Sequence, residues 1–114
     1  MLIFDIDETM IHTLDERDPQ EMKGSVRLFI PDTEYPSQSI EINLNVRPYL
    51  KQCLNDLCTK FQIIAFTASE RTYADAVLDY LDSQKYIFST RLYRDHCIQT
   101  EFGHIKDLRI IANR

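Results

Sequence analysis

The start of the chain contains the feature that most restricts its fold. An apolar run, Leu2 to Phe4, leads directly into Asp5 and Asp7, two carboxylates that stand two residues apart. An unbroken apolar run is typical of a parallel strand buried on both faces, and open α/β sheets bind ligands at the carboxyl ends of such strands. We therefore predict a buried strand over residues 2 to 6 whose end carries polar chemistry.

The middle of the chain repeats this pattern between two helices. Residues 62 to 67 form a second short apolar run, which ends in Thr67. Before it, apolar residues at helical spacing predict a helix over residues 48 to 60, with Pro48 in its first turn. After it, Ser69 is suited to cap a second helix. The buried face of that second helix is predicted to contain Tyr73, Ala74, Val77, Leu78 and Leu81.

This alternation of strands and helices predicts an α/β fold with a central, mostly parallel sheet flanked by helices. One polar, turn-rich segment, residues 16 to 46, interrupts it and contains two strand-like stretches, 25 to 30 and 40 to 46. The second stretch alternates between apolar and polar residues, as a half-exposed strand does. We predict that the two stretches pair antiparallel in a small β insertion, within a single domain over residues 1 to 114.

The last part of the chain has weaker patterns. Short strands are predicted over residues 86 to 93 and 96 to 100. Gly103 is predicted to mark a turn, and residues 106 to 111 to begin a further element.

Composition excludes several classes of protein. The 13 Lys and Arg against 18 Asp and Glu give a net charge of −5, so direct binding to nucleic acid, which depends on basic residues, is not expected. The charge is uneven, because residues 1 to 22 carry seven acids and one base, whereas residues 84 to 114 carry six bases and three acids. Three cysteines without a CxxC pair argue against zinc and predict reduced, mostly buried thiols. No stretch approaches the ~20 apolar residues of a membrane span.

Asp5 and Asp7 are the strongest chemical signal. Two carboxylates on a turn that leaves a strand can face one cavity, where one attacks phosphorus and the other transfers a proton. The simpler interpretation is a polar turn at the end of a strand. Thr67, Arg94 and Lys106, each taken alone, are likewise more typical of a turn residue and of solvated surface charges.

Several segments together resemble one family. The run from Asp5 to Thr13 is similar to the signature of haloacid-dehalogenase-type phosphatases, especially the group that dephosphorylates the C-terminal domain (CTD) of RNA polymerase II. That group includes small CTD phosphatases, dullard-type phosphatases and NLI-interacting-factor-like proteins, which share the FCP homology domain. Later segments match the group's other motifs in order: Asn45–Pro48, Phe66–Ser69, Tyr73–Asp75, Tyr93–Cys97 and Ile105–Leu108. The resemblance therefore extends over nearly the whole chain.

The resemblance implies a Rossmann-like haloacid-dehalogenase fold and a Mg²⁺-dependent phosphoserine/phosphothreonine phosphatase. Asp5 would be the nucleophile that forms an aspartyl-phosphate. Asp7 would protonate the departing oxygen and then deprotonate the attacking water. Mg²⁺ would be bound by the Asp5 carboxylate and by the backbone carbonyl of Asp7.

The resemblance also implies a set of residues that bind the substrate phosphate: Thr9, Thr67, Arg94 and Lys106. Cations are needed here, because two carboxylates and a phosphate dianion repel one another strongly at close range. Tyr73 is assigned to the core by its helical spacing, although in relatives an aromatic side chain at this position can lie near the substrate groove.

The family pattern continues past the end of the last matching segment, into a fourth motif that carries further carboxylates. We therefore expect this chain to be a fragment that lacks the C-terminal part of the fold. The missing strand would lie beside the first one, so residues 2 to 6 are expected to form an exposed apolar edge strand. Activity of these 114 residues does not follow from the resemblance alone.

The expected substrate is a phosphorylated protein, by default the C-terminal domain of RNA polymerase II, because a short insertion leaves the site open to a peptide. Two alternatives stay open: a non-catalytic receptor domain of the same fold, as in the mitochondrial inner-membrane translocase, and a small-molecule phosphatase of the same superfamily. The expected compartment is the nucleus or the cytoplasm. A membrane-associated or mitochondrial location stays open for a longer parent protein.

Overall fold

A computed structural model describes residues 1–14, 26–32 and 34–111, and the statements below concern these residues. Two helices lie among eight strands, with short 3-10 helices at Arg94–His96 and Leu108–Ile111. In chain order the elements are β1 (Leu2–Phe4), β2 (Ile11–Thr13), β3 (Val26–Pro31), β4 (Ser39–Val46), α1 (Leu50–Cys58), β5 (Ile63–Phe66), α2 (Arg71–Leu81), β6 (Phe88–Leu92), β7 (Ile98–Thr100) and β8 (Gly103–Ile105).

The central sheet is parallel, as predicted. Its strand order is β1-β5-β6, and all four residues of β5 are buried. Within the described residues β1 lies at an edge of this sheet, and its Ile3 is 39% exposed. The prediction of a buried first strand is therefore wrong for these residues, whereas the expected apolar edge strand is found. The first strand ends at Phe4, two residues earlier than predicted, because the Ile6 carbonyl accepts hydrogen bonds from three following N–H groups and turns the chain away.

A second sheet is antiparallel and has the order β2-β4-β3. The predicted pairing of its two longer strands is confirmed, with a register that runs from Val26 opposite Leu44 to Pro31 opposite Ser39. The short strand β2 was not predicted, since three residues are too few to show a pattern. The proposed insertion over residues 16 to 46 stays a prediction, because residues 15–25 lie outside the described part of the chain.

The predicted alternation of burial along β4 is only partly correct. Asn43, expected to face solvent, is 6% exposed, whereas Ile40 is 45% exposed. Asn43 is covered because the chain leaving β2 runs beside it, where the Leu14 N–H donates to the Asn43 carbonyl at 2.8 Å. Ile40 lies at the distal end of the β3–β4 pair, opposite Ile30, and little packs over it.

Both helices form where helical spacing predicted them, but both starts differ from prediction. Tyr49 precedes α1 in the left-handed conformation, with φ 65°, so Pro48 lies before the helix and not in its first turn. Glu70 is the residue before α2, and no side chain caps that end, so the prediction that Ser69 is the cap is wrong. The buried residues of the two helices are Leu50, Leu54, Ala74, Val77, Leu78 and Leu81.

The C-terminal strands are shorter than predicted. The range 86 to 93 contains β6, and the range 96 to 100 contains β7, which follows a 3-10 helix. β7 and β8 form an antiparallel hairpin, and Gly103 begins its second strand with φ 122°, a conformation that favours glycine. All three cysteines are free, but Cys53 is exposed and the other two are half-buried, so the prediction that most are buried is wrong.

One core joins the two larger sheets and the helices. It includes Ile6 and Met10 from the turn after β1, Leu44 from the second sheet, and Ile63 from β5, all with no exposed surface. The turn that carries Asp5 and Asp7 is therefore fixed to the core by the buried side chains of Ile6 and Met10. Within the described residues no helix combines the length and the apolarity needed to cross a membrane.

A buried carboxylate closes the loop between α2 and β6. Asp82 is 2% exposed. Its Oδ1 accepts the N–H of Tyr86 at 3.0 Å, and its Oδ2 accepts those of Ile87 at 2.9 Å and Phe88 at 3.1 Å. Sequence reasoning missed this residue, because an Asp after a helix resembles any polar loop residue.

We predict that Asp82→Ala lowers the free energy of unfolding by about 3 kcal/mol, since it leaves buried N–H groups without an acceptor. Asp82→Asn should cost about half as much, because its amide oxygen can still accept two of the three donors. Urea denaturation measures both. Ser83→Ala, at the exposed neighbouring residue, is the control, and equal stability of Asp82→Ala and the wild type would contradict the assignment.

Candidate active site

The site lies where two neighbouring parallel strands end. Phe4 of β1 is paired with Ala65 of β5, so the segments that follow these residues leave the sheet side by side. One segment carries Asp5 and Asp7, and the other carries Thr67 and Ser69. The strand ends therefore bring together two stretches that are far apart in the sequence, as the apolar patterns predicted.

A tight turn holds the two carboxylates. The Asp5 Oδ1 accepts the Ile6 N–H at 2.8 Å. The Ile6 carbonyl in turn accepts the N–H groups of Thr9 at 3.3 Å, Met10 at 2.9 Å and Ile11 at 3.2 Å. Ile6 and Met10 are buried in the core, whereas Asp5 and Asp7 are half-buried. The same turn therefore directs its apolar side chains into the core and leaves its two carboxylates accessible.

Lys106 forms an ion pair with Asp5. Its Nζ lies 2.7 Å from the Asp5 Oδ2, and the side chains are 26% and 44% exposed respectively. The β7–β8 hairpin makes this contact, because Lys106 directly follows β8 where the chain returns toward the sheet. The two Asp5 oxygens therefore have different partners, a backbone N–H and an ammonium group.

Thr67 is almost completely buried at the end of β5, with 1% of its surface exposed. Its Oγ1 accepts the Ser69 N–H at 3.0 Å. A hydroxyl that accepts in this way still has its own proton to donate. Its backbone N–H donates to the Leu92 carbonyl at 3.0 Å, so the loop after β5 is tied to β6.

Arg94 lies against the same loop. Its Nε donates to the Ala68 carbonyl at 2.8 Å and its Nη1 to Glu70 at 3.3 Å. It lines a cavity of about 380 Å³ together with Arg71, Cys97 and other residues. The guanidinium is thus held beside the loop after β5, in a cavity whose lining includes neither Asp5 nor Lys106, and Glu70 compensates part of its charge.

Thr9 is placed differently from the other predicted residues. It is exposed, and it lines a cavity of about 340 Å³ together with Arg47 and Pro48. Within the described residues no contact ties its side chain to Asp5 or to Lys106. Its predicted role in binding phosphate stays a prediction.

Two hydroxyl groups hold the Asp7 carboxylate. Tyr73 donates to Oδ1 at 2.7 Å, and Ser69 donates to Oδ2 at 2.8 Å. Helical spacing predicts Tyr73 in the core, and Ser69 is predicted as a helix cap; neither prediction includes this contact with Asp7. Ser69 lies before α2 and Tyr73 lies in its first turn, and no local pattern in the sequence shows that both contact Asp7.

The Tyr73 hydroxyl is half-buried and also lies 2.8 Å from the Thr13 Oγ1. Burial is the largest cause that raises the pKa of Tyr73 above its ordinary value, and the neighbouring Asp7 carboxylate raises it further, against an opposing effect of Thr13. The phenol is therefore protonated at neutral pH and acts as a hydrogen-bond donor.

The residues present fit a magnesium ion. No cluster of three or more His, Cys, Asp and Glu side chains occurs in the described ranges, but Mg²⁺ is commonly held by one or two protein oxygens and retains several waters. Asp5 offers a half-exposed carboxylate. Asp7 offers its backbone carbonyl, the oxygen that the family resemblance implies, as well as a carboxylate that accepts two hydroxyl hydrogen bonds.

A comparison with solved structures defines the class of fold. The chain superimposes with a TM-score of 0.67 on fission yeast RNA polymerase II CTD phosphatase Fcp1 bound to beryllium fluoride, with 20% identity, over 82% of this chain and 29% of that one. A second Fcp1 structure matches with the same TM-score at 22% identity. This chain therefore shares the α/β fold of Fcp1 over most of its length.

The family follows from the sequence. A family model described as NLI interacting factor-like phosphatase matches residues 1–114, and the chain belongs to this family. Similar proteins include nuclear envelope morphology protein 1 of Schizosaccharomyces pombe, 35% identical over 96% of this chain and 22% of that protein. CTD small phosphatase-like protein 3 of Caenorhabditis elegans is 32% identical over 97% and 37%, respectively. CTD nuclear envelope phosphatase 1B of Danio rerio is 31% identical over 97% and 46%. The chain thus spans less than half the length of these relatives.

We predict that Lys106→Met weakens the binding of inorganic phosphate in Mg²⁺-containing buffer by about 10-fold or more, because a charge-assisted hydrogen bond contributes about 1.5–3 kcal/mol. Stability should change by less than about 1 kcal/mol, since a partly exposed ion pair contributes little to folding. Titration calorimetry measures the binding. Lys60→Met, at an exposed lysine after α1, is the control, and equal losses in both variants would show that only net charge matters.

Proposed function

We propose that this chain is the catalytic domain, or part of it, of a Mg²⁺-dependent phosphoserine/phosphothreonine protein phosphatase that acts through an aspartyl-phosphate on Asp5. The observation that carries the proposal is the pairing of two differently held carboxylates on one turn. Asp5 is held by an ammonium group 2.7 Å away, and Asp7 by two hydroxyl groups. Membership of a phosphatase family supports the same reaction.

In the first step a carboxylate oxygen of Asp5 forms a bond to phosphorus. The bond between phosphorus and the serine or threonine oxygen breaks, and the Asp7 carboxyl gives its proton to that oxygen. The departing group is an alkoxide, which is a poor leaving group unless it is protonated. Asp7 is free for this task because its side chain is bound by neutral hydroxyl groups and not by Lys106.

In the second step a water oxygen attacks the phosphorus of the aspartyl-phosphate. Asp7, now ionised, takes a proton from that water, and the bond between phosphorus and Asp5 breaks. Inorganic phosphate leaves, and both carboxylates return to their starting states. Two easier displacements thereby replace one difficult hydrolysis.

The negative charge of the reacting groups must be compensated. Lys106 lies against Asp5 and is placed to neutralise the phosphoryl group as it arrives. Arg94 lies beside the loop after β5, where it would hold the substrate phosphate or a neighbouring group. The chemistry that Mg²⁺ supplies when bound, by the Asp5 carboxylate and the Asp7 carbonyl, is further compensation of the charge on the phosphoryl oxygens.

Thr67 is suited to position a phosphoryl oxygen. Its hydroxyl oxygen accepts a hydrogen bond from the Ser69 N–H, and the hydroxyl still has its own proton to donate. Because the side chain is buried, its orientation is set by packing before the substrate arrives. Such pre-organised donors stabilise developing charge without a cost of reorientation.

The substrate is proposed to be a phosphorylated protein. Relatives are named as CTD phosphatases, and two solved structures with this fold are of an RNA polymerase II CTD phosphatase. We take that C-terminal domain as the default substrate. Relatives are also named for the nuclear envelope, so a nuclear or cytoplasmic location that includes the nuclear envelope is the proposed compartment.

The test is Mg²⁺-dependent phosphate release from a phosphoserine peptide. We expect activity that EDTA removes and that Asp5→Asn lowers by about 1,000-fold or more, as loss of a nucleophile does. Asp56→Asn, which neutralises an exposed carboxylate on α1, is the matched control and should retain full activity.

Two outcomes would favour other functions. A folded chain that binds Mg²⁺ but releases no phosphate would favour a non-catalytic receptor domain. Faster turnover of phosphorylated metabolites than of phosphopeptides would favour a small-molecule phosphatase.

A further inference from the structure

We infer that Tyr73 is a positioning residue for the acid–base carboxylate Asp7, and that Thr13 of the second sheet orients Tyr73 for this task. The inference rests on the proposed function, because it concerns how Asp7 delivers its proton. The hydroxyl of Tyr73 lies 2.7 Å from the Asp7 Oδ1 and 2.8 Å from the Thr13 Oγ1. Tyr73 therefore links the site to the antiparallel sheet.

Two separate elements fix the plane of the Asp7 carboxylate. Ser69, in the loop after β5, holds Oδ2 at 2.8 Å, and Tyr73, in the first turn of α2, holds Oδ1. A carboxylate bound at one oxygen can rotate about its Cβ–Cγ bond, whereas one bound at both oxygens cannot do so without breaking a hydrogen bond. This fixed orientation matters, because a small misplacement of a catalytic group causes a large loss of rate.

The direction of the hydrogen bonds follows from their chemistry. An ionised carboxylate accepts hydrogen bonds and donates none, and a protonated carboxyl oxygen keeps a lone pair that can accept one, so in both states of Asp7 the single Tyr73 proton can be directed to it. The Tyr73 oxygen can then accept from Thr13, whose hydroxyl has a proton to donate. The chain therefore runs from Thr13 through Tyr73 to Asp7, and β2 contributes to the site without touching Asp7.

This role predicts a dependence on the leaving group. Serine leaves as an alkoxide and needs the proton of Asp7, whereas p-nitrophenol is acidic enough to leave without it. Loss of a residue that only orients Asp7 should therefore lower the rate with a phosphoserine substrate and leave the rate with p-nitrophenyl phosphate unchanged. The quantity to compare is kcat/KM, which reports on the steps through transfer of the phosphoryl group to Asp5.

We expect Tyr73→Phe to lower kcat/KM for a phosphoserine peptide by about 10- to 100-fold, part of the 10²–10⁴-fold that a general acid contributes. For p-nitrophenyl phosphate the loss should stay below about 3-fold, because no general acid is required. Thr13→Val should show the same selectivity with a smaller loss. Added to Tyr73→Phe it should cause no further loss, since Thr13 acts through Tyr73.

The control is Tyr86→Phe, which removes a hydroxyl hydrogen bond from the loop between α2 and β6 to Asn55 of α1 and should leave the rates with both substrates unchanged. Equal losses for the two substrates, or independent losses in the double variant, would reduce Tyr73 to a structural residue and overturn the inference.

If Tyr73→Phe does not fold, Thr13→Val and Ser69→Ala provide the test, because each should lower kcat/KM for the phosphoserine peptide more than for p-nitrophenyl phosphate. A wild-type chain that is inactive toward both substrates would overturn the proposed function, and the inference with it.

Discussion

The parallel pairing of β1 with β5 is the constraint on which the site depends. All four residues of β5 are buried, and its partner strand is held by the packing of Ile6 and Met10 just beyond its end. A change of register by one residue would move apolar side chains off their positions in the core. Burial therefore keeps Phe4 opposite Ala65, and that register brings the Asp5 turn beside the loop after β5.

The electrostatics of the site come from elements that have little role in the core. Asp5 projects from the most acidic part of the chain, and Lys106 reaches it from a surface hairpin in the basic part. A half-exposed ion pair of this kind contributes little to folding. Its position is better explained by chemistry, because the pair sets a positive charge next to the carboxylate that is proposed to attack a dianion.

The second sheet is connected to the site by polar contacts as well as by the shared core. Thr13 of β2 contacts the hydroxyl that holds Asp7, and Leu14 beyond it hydrogen bonds to Asn43 in β4. No pattern in the sequence shows such a link, because each of these residues has an ordinary local role. Thr13 resembles any strand residue, and Tyr73 fits a helical stripe whose other members are truly buried.

The sequence alone determined the class of fold, the order of the main strands and helices, and the identity of Asp5, Asp7, Thr67 and Lys106 as candidates. The order of strands and helices follows from apolar periodicity, and Asp5 and Asp7 follow from a short motif at a strand end, since both depend only on neighbouring residues. Thr67 and Lys106 became candidates only through the joint resemblance of several segments to one family. Only the tertiary structure decided that Ser69 binds Asp7 instead of capping a helix, that Asp82 is buried and that Thr9 faces another cavity. Such roles depend on contacts between residues that are far apart in the sequence. The sequence around a hydroxyl or a carboxylate does not show which of these residues will be its partner.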